Sequence, residues 1–358
     1  MVTPGVRVQD GLQNPTPVFA VSPSSIGIIG DTTGGSVADE VVTRVDYDNY
    51  EQLFGVGSGA SRLIEDIMDA SGERPPMVVV GYTTTSEGDW KSAASEMRRS
   101  ESATGIHPSI IITDIDSWNL DLTDNPLSTE HFVATEFNSM TNEMGNIAVI
   151  QAAPTSVTLA KSWRVNNTSD NVIAVWPRES ETPNHNVVGY VAGTLIELDT
   201  RIGVSANPMY QPIKGVGALE HQVSFGSQTS EASELAADGV MTIINHDGRR
   251  LWGNKMADGT TFISVQRIKN KIRKYLEDRH YDALSRNIDQ GFFDYVTGRV
   301  NNYLISLIES REIRSGLCTA DMSQNTDANL SQGDAYYNVV IESIRPVVRI
   351  TFQFNITP

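Results

Sequence analysis

The chain is short of cysteine and of positive charge. One of its 358 residues is cysteine, Cys318, so no internal disulfide can form and a reducing compartment is expected. Lys and Arg number 27 against 44 Asp and Glu, a formal net charge of −17. Such a surface excludes wholesale coating of nucleic acid or of an anionic membrane. No apolar run reaches the roughly 18 residues that a membrane-spanning helix needs. The opening Met1-Val2-Thr3-Pro4-Gly5 carries neither a basic nor an apolar leader, so no secretory signal is expected. Hydrophobic residues make up 39%, enough for a real core, and the length predicts two domains in a soluble protein.

The scarce positive charge is concentrated. Residues 1–248 carry a net −20 and residues 249–358 a net +3. The excess is densest over 249–286, which includes Arg267, Lys271 and Lys274. Such a stripe is ordinarily a solvated helix face; it can equally mark a surface complementary to an acidic partner.

Short apolar strands alternate with helical segments through the first two thirds. Strands are expected at 25–30, Met77–Val80, Ile110–Thr113, Ile147–Ala152 and Val172–Trp176. Helices are expected at Tyr47–Phe54, Ala60–Ala70, Glu130–Met144, Thr155–Trp163 and Val187–Leu198. The alternation predicts an α/β body with a largely parallel sheet over 23–245. A hairpin around Asp247-Gly248 follows. An α+β domain over 246–345 then holds amphipathic helices at 264–279 and 290–309, a polar irregular stretch at 313–335 and a strand at Tyr336–Ile344. Both termini read as extended arms. In 1–22, Val6 and Val8 alternate with polar residues among prolines. In 346–358, Ile350, Phe352, Phe354 and Ile356 alternate with Arg349, Thr351, Gln353 and Asn355. A strand-forming tail either pairs within its own domain or adds to the edge of a neighbour's sheet.

The places where chemistry could reside are weak. Gly30-Asp31-Thr32-Thr33-Gly34-Gly35 follows a strand but lacks the Gly-Lys-Ser/Thr ending of a phosphate loop, and a turn suffices to explain it. Asp114, Asp116, Asp121 and Asp124 follow another strand without calcium-loop spacing, as a solvated loop would. The six histidines show no metal-ligand pairing, and Cys318 has no CxxC partner, lying in the polar stretch expected to be loop. No catalytic, metal or cofactor site is therefore expected. The alternative is a hydrolase or nucleotide-binding enzyme using the 30–35 loop or the 114–124 cluster.

Several segments together resemble the contractile tail sheath proteins of phages and tailocins. These are Pro4-Gly5-Val6-Arg7-Val8, Gly189–Gly193 through Asp199, Ser205–Pro208, Gly215-Val216, Leu251–Asn254, Phe262–Ile268, then Cys318, Asp321, Asn325-Thr326, Gly333, Pro346 and Ile350–Phe352. The resemblance runs in order over most of the chain and is weakest over 36–105. It implies a structural subunit with no catalytic role. It also implies an outer α/β body, of the kind often described as subtilisin-like, over an inner C-terminal domain. The expected partners are further copies in six-fold rings stacked helically, an inner tail tube, a baseplate and a tail terminator. The expected place is a virion or tailocin tail assembled in the bacterial cytoplasm, with neither nucleic acid nor membrane bound. Val6 and Val8 of one arm, and Ile350, Phe352, Phe354 and Ile356 of the other, would pair with neighbouring subunits. Arg267, Lys271 and Lys274 would face the tube or another subunit. Another self-assembling protein with donated strands is the remaining alternative.

Overall fold

The computed structural model describes residues 24–83, 86–115, 132–152, 156–180 and 186–348. Its centre is a sheet built from β1 (Ile26–Asp31), β2 (Val42–Arg44), β3 (Met77–Tyr82), β4 (Ile110–Thr113), β5 (Ile147–Gln151), β6 (Val172–Val175), β7 (Val240–Asn245) and β8 (Arg249–Trp252), in the order β2-β3-β1-β4-β5-β6-β7-β8. The six inner strands run parallel, and β2 and β8 are antiparallel edges. The inner strands are near-continuous Ile/Val runs because helices cover both faces and neither side meets water. On one face lie α1 (Tyr50–Phe54), α2 (Gly59–Ser71) and α7 (Val188–Arg201). On the other lie α3 (Glu87–Met97), α5 (Phe132–Met144), α6 (Val157–Asn166) and α8 (Glu231–Ala237), with the short α4 (Ser100–Thr104) beside β2.

Gly189 and Gly193 now have a physical reason. They lie on one face of α7 where it crosses α2. A Cβ at Gly189 would lie 2.6 Å from Asp66 Cβ, and one at Gly193 2.7 Å from the Ile67 carbonyl oxygen. Only glycine lets the two backbones approach this closely.

Both edges of the large sheet are managed. β2 is three residues long. β8 is covered by the preceding loop, where Tyr210 N–H donates to Leu251 O at 2.7 Å and Leu251 N–H to Gln211 O at 2.9 Å.

The C-terminal part is α9 (Ile263–Arg279), a 3₁₀ turn (Tyr281–Ser285), α10 (Gln290–Glu309), β9 (Ile313–Ala320), α11 (Asp327–Gln332) and β10 (Tyr337–Ser343). It has its own core of Ile268, Ile272, Val296, Val300, Leu304 and Leu307 with Ile313 and Cys318.

Two expectations are corrected. The body does not stop at 245: β8 belongs to its sheet, and Leu251, Met256 and Ile263 belong to its core, so the change of core falls within α9. The stretch 313–335 is not irregular, and Cys318 is not in a loop. β9 and α11 occupy that stretch, and the Cys318 thiol is buried in β9, its pKa pushed up by that burial. β2, α3, α4 and α8 also went unseen in the sequence.

Candidate assembly interface

The ribbon formed by β9 and β10 is an open element. Its antiparallel register sets Ala320 opposite Tyr337, Cys318 opposite Val339 and Leu317 opposite Val340. One face lies on α10, where Cys318 is buried and Tyr337, Val339 and Ile341 are half-buried against the C-terminal core. The other face meets solvent and carries an apolar cross-strand pair, Leu317 at 56% and Val340 at 69% exposure. Among the described residues the ribbon has two strands and no more, so each strand has an outer edge that no further strand occupies. An isolated two-stranded ribbon is marginal by itself, and an open edge is a template for pairing with another chain. Beyond β10 the chain continues through Ile344, Val347 and Val348, all exposed.

The turn region between β9 and β10 uses the residues that stood out in the sequence. Asn325 Nδ2 donates to Tyr336 O at 2.9 Å, and Tyr336 N–H donates to Asn325 Oδ1 at 2.7 Å. Thr326 caps α11, and Gly333 ends it with φ of 92°. These residues therefore hold the ribbon closed.

The expected arm residues Val6, Val8, Ile350, Phe352, Phe354 and Ile356 lie outside the described residues. The basic residues of α9 are corrected, because all three are engaged within the chain. Arg267 forms a buried ion pair with Asp199 of α7. Lys271 Nζ lies 2.7 Å from Glu312 Oε2. Lys274 Nζ lies 2.8 Å from Glu101 and 2.7 Å from Asp278. Gln266 donates to Asn171 at 2.6 Å, and Asn270 to the Asn146 carbonyl at 2.9 Å, beside this stripe. Two of these links, Arg267 to Asp199 and Lys274 to Glu101, fasten α9 to the acidic body, while Lys271 to Glu312 ties it within the C-terminal part.

The sites weighed for catalysis are also accounted for. The 30–35 loop packs on the end of α1: a Cβ at Gly35 would lie 2.4 Å from Leu53 O, and one at Gly55 2.2 Å from Thr33 O. Gly35 serves this contact, and Gly30 lies against Ala60 of α2, where a Cβ would come within 3.0 Å of the Ala60 Cα. Asp114, at the carboxyl end of β4, accepts from Asp31 N–H at 2.8 Å and from the Tyr82 hydroxyl at 2.6 Å, joining the ends of β1, β3 and β4. Burial pushes the Asp114 carboxyl up to about 6 and raises the Tyr82 hydroxyl strongly. Asp116, Asp121 and Asp124 lie outside the described residues, and among those described no cluster of His, Cys, Asp or Glu could hold a metal. None of the described helices is long and apolar enough to cross a membrane.

Comparison with known proteins points to sheath proteins. No protein-family profile matches the chain. A prophage major tail sheath protein of Pseudomonas aeruginosa (strain UCBPP-PA14) is 24% identical over 242 residues, covering 64% of this chain and 63% of that one. The tail sheath protein of Escherichia phage P2 is 22% identical over 288 residues, covering 76% and 69%. The contracted sheath of the extracellular contractile injection system PVC superposes with a TM-score of 0.72 at 14% identity, over 99% of this chain and 98% of that one. The chain is similar to contractile tail sheath proteins in sequence and to contractile sheaths in fold. The contracted helical sheath of the anti-feeding prophage superposes likewise, with a TM-score of 0.70 at 16% identity over 99% of each chain. The alignment with the Pseudomonas sheath protein spans less than two thirds of that protein's length.

Proposed function

We propose that the chain is the repeating subunit of a contractile sheath, assembled through strands exchanged between copies. The observation that carries this reading is the β9–β10 ribbon. Its core side is formed by α10, its outer edges complete no larger sheet among the described residues, and both chain termini have strand-forming sequences. A strand added to such an edge gains a backbone hydrogen-bond ladder that depends little on the exact sequence, with alternate side chains supplying register.

On this reading residues 1–22 and 346–358 are the exchanged arms. Copies form six-fold rings stacked around an inner tube, between a baseplate and a terminator, in a virion or a related injection particle. The sheath stores its work as a metastable extended state. On triggering, each subunit moves as a nearly rigid body while the arms act as tethers, and small gains per subunit add along the tube. The ion pairs fastening α9 to the body support that rigidity. They tie the C-terminal part to α7 and to Glu101, so the bending points fall in the arms and at Ile344–Pro346. Negative-stain electron microscopy of the purified full chain tests the proposal. Striated tubes or stacked rings support it, and discrete particles at every concentration and salt refute it.

A further inference from the structure

The two edges of the β9–β10 ribbon are not equivalent. Asp321 N–H donates to Tyr336 O at 2.9 Å, which sets the hydrogen-bonding phase of the ladder. In that phase residues 317, 319 and 321 of the first strand point their backbone groups at the second. Those of Gly316, Cys318 and Ala320 point away. On β10 the outward groups belong to Tyr337, Val339 and Ile341.

The outward groups of Cys318 are already occupied. Cys318 N–H donates to Asn301 Oδ1 at 2.7 Å, and Asn301 Nδ2 donates to Cys318 O at 3.0 Å. A carboxamide offering one acceptor and one donor in this way copies the pairing of a neighbouring strand residue. Asn301 sits on α10, one turn before Leu304, and a Cβ on Gly316 would lie 3.3 Å from Leu304, so the helix is held tightly beneath this strand. No corresponding side chain bonds the outward groups of Tyr337, Val339 or Ile341 among the described residues.

We propose that Asn301 closes the β9 edge, so that a strand from a second copy of the chain adds along β10. The inference rests on the assembly reading above and deepens it by choosing the edge. The occupant is a terminal segment of another copy, and 346–358 fits in character. Its apolar residues alternate, so one face of an added strand would cover the half-buried Tyr337, Val339 and Ile341 while the other faced solvent. Addition on β9 would instead require both Asn301 bonds to break before new ones form.

Hydrogen exchange read at single-amide resolution tests this on the full chain, both unassembled and in tubes. In the unassembled protein the Cys318 amide should exchange about tenfold more slowly than in Asn301→Ala, the effect of one hydrogen bond of ordinary strength. Asn301→Asp keeps the acceptor but sets a carboxylate oxygen against Cys318 O, so it should retain only part of that protection. On assembly of the wild type, the amides of Tyr337, Val339 and Ile341 should gain protection while those of Gly316 and Ala320 should not. Equal gains at Gly316 and Ala320 overturn the proposal but leave the assembly reading standing. Protection of the β10 amides already complete before assembly also overturns it, because the strand then pairs at home. A protein that forms no tubes overturns the assembly reading and this proposal with it.

Discussion

Breaking the pair between Asp199 and Arg267 should destabilise the chain more than breaking any exposed ion pair it contains. The two side chains are 6% and 4% exposed, and Asp199 also accepts from the Ser24 hydroxyl, at the point where the N-terminal segment enters the body. Asp199→Ala would leave the Arg267 guanidinium charged, buried and without its counter-ion. A buried pair broken on one side costs about 3–5 kcal/mol. Arg74→Ala, which removes a pair with side chains 63% and 81% exposed, should cost about 0–1 kcal/mol. Replacing both partners with apolar residues, Asp199→Leu with Arg267→Met, should recover most of the loss, since no orphaned charge remains. Urea unfolding of the four proteins followed by tryptophan fluorescence reads these differences, because Trp163 and Trp176 are buried in the body core. If Asp199→Ala unfolds within about 1 kcal/mol of the wild type, the pair does not fasten α9 to the body and the rigid-subunit argument loses its support.

Three further outcomes follow from the same physics. The folded-state pKa of Asp114 lies at about 6, above its ordinary 3.8, so its contribution to stability is full below pH 3.8 and is lost as pH rises through 6. Asp114→Asn should therefore give a flatter stability profile than the wild type between those values, and parallel urea-unfolding profiles would contradict the assignment. Gly193→Val, whose Cβ would meet the Ile67 carbonyl at 2.7 Å, should force α2 and α7 apart and cost at least about 2 kcal/mol in thermal unfolding. Because residues 1–248 carry a net −20, close packing of many bodies should be opposed by their charge. Raising salt from low ionic strength should then promote tube formation in light scattering, and assembly indifferent to salt would contradict this.

What could be read from the sequence was what burial writes locally. The inner strands are legible because both faces are covered, and Val78–Val80 or Ile110–Ile112 has no polar position to confuse the pattern. α10 is legible to its ends, because Asp289 caps it by accepting from Phe292 N–H at 2.8 Å and its apolar stripe repeats at helical spacing. β9 left no such mark. It buries only Ile313 and Cys318, and it becomes a strand through pairing with β10, a contact that its own residues do not encode. α3 is faint in the sequence because it packs with Ala93, Ala94 and Met97 around one tryptophan, a weak stripe among charged residues. The basic stripe of α9 is visible in the sequence, but its partners are not: Asp199 and Arg267 are 68 positions apart, and only the tertiary fold brings them together. Asn301 gave no signal at all, since its role depends on the phase of a ladder two elements away.

The exchange of strands between copies is tested most directly by shortening the arm. The chain lacking residues 347–358 should retain the circular dichroism spectrum and unfolding midpoint of the full chain, because the described core ends before that segment. It should form no tubes in negative-stain electron microscopy under conditions where the full chain does. Normal tubes from the shortened chain would contradict the account.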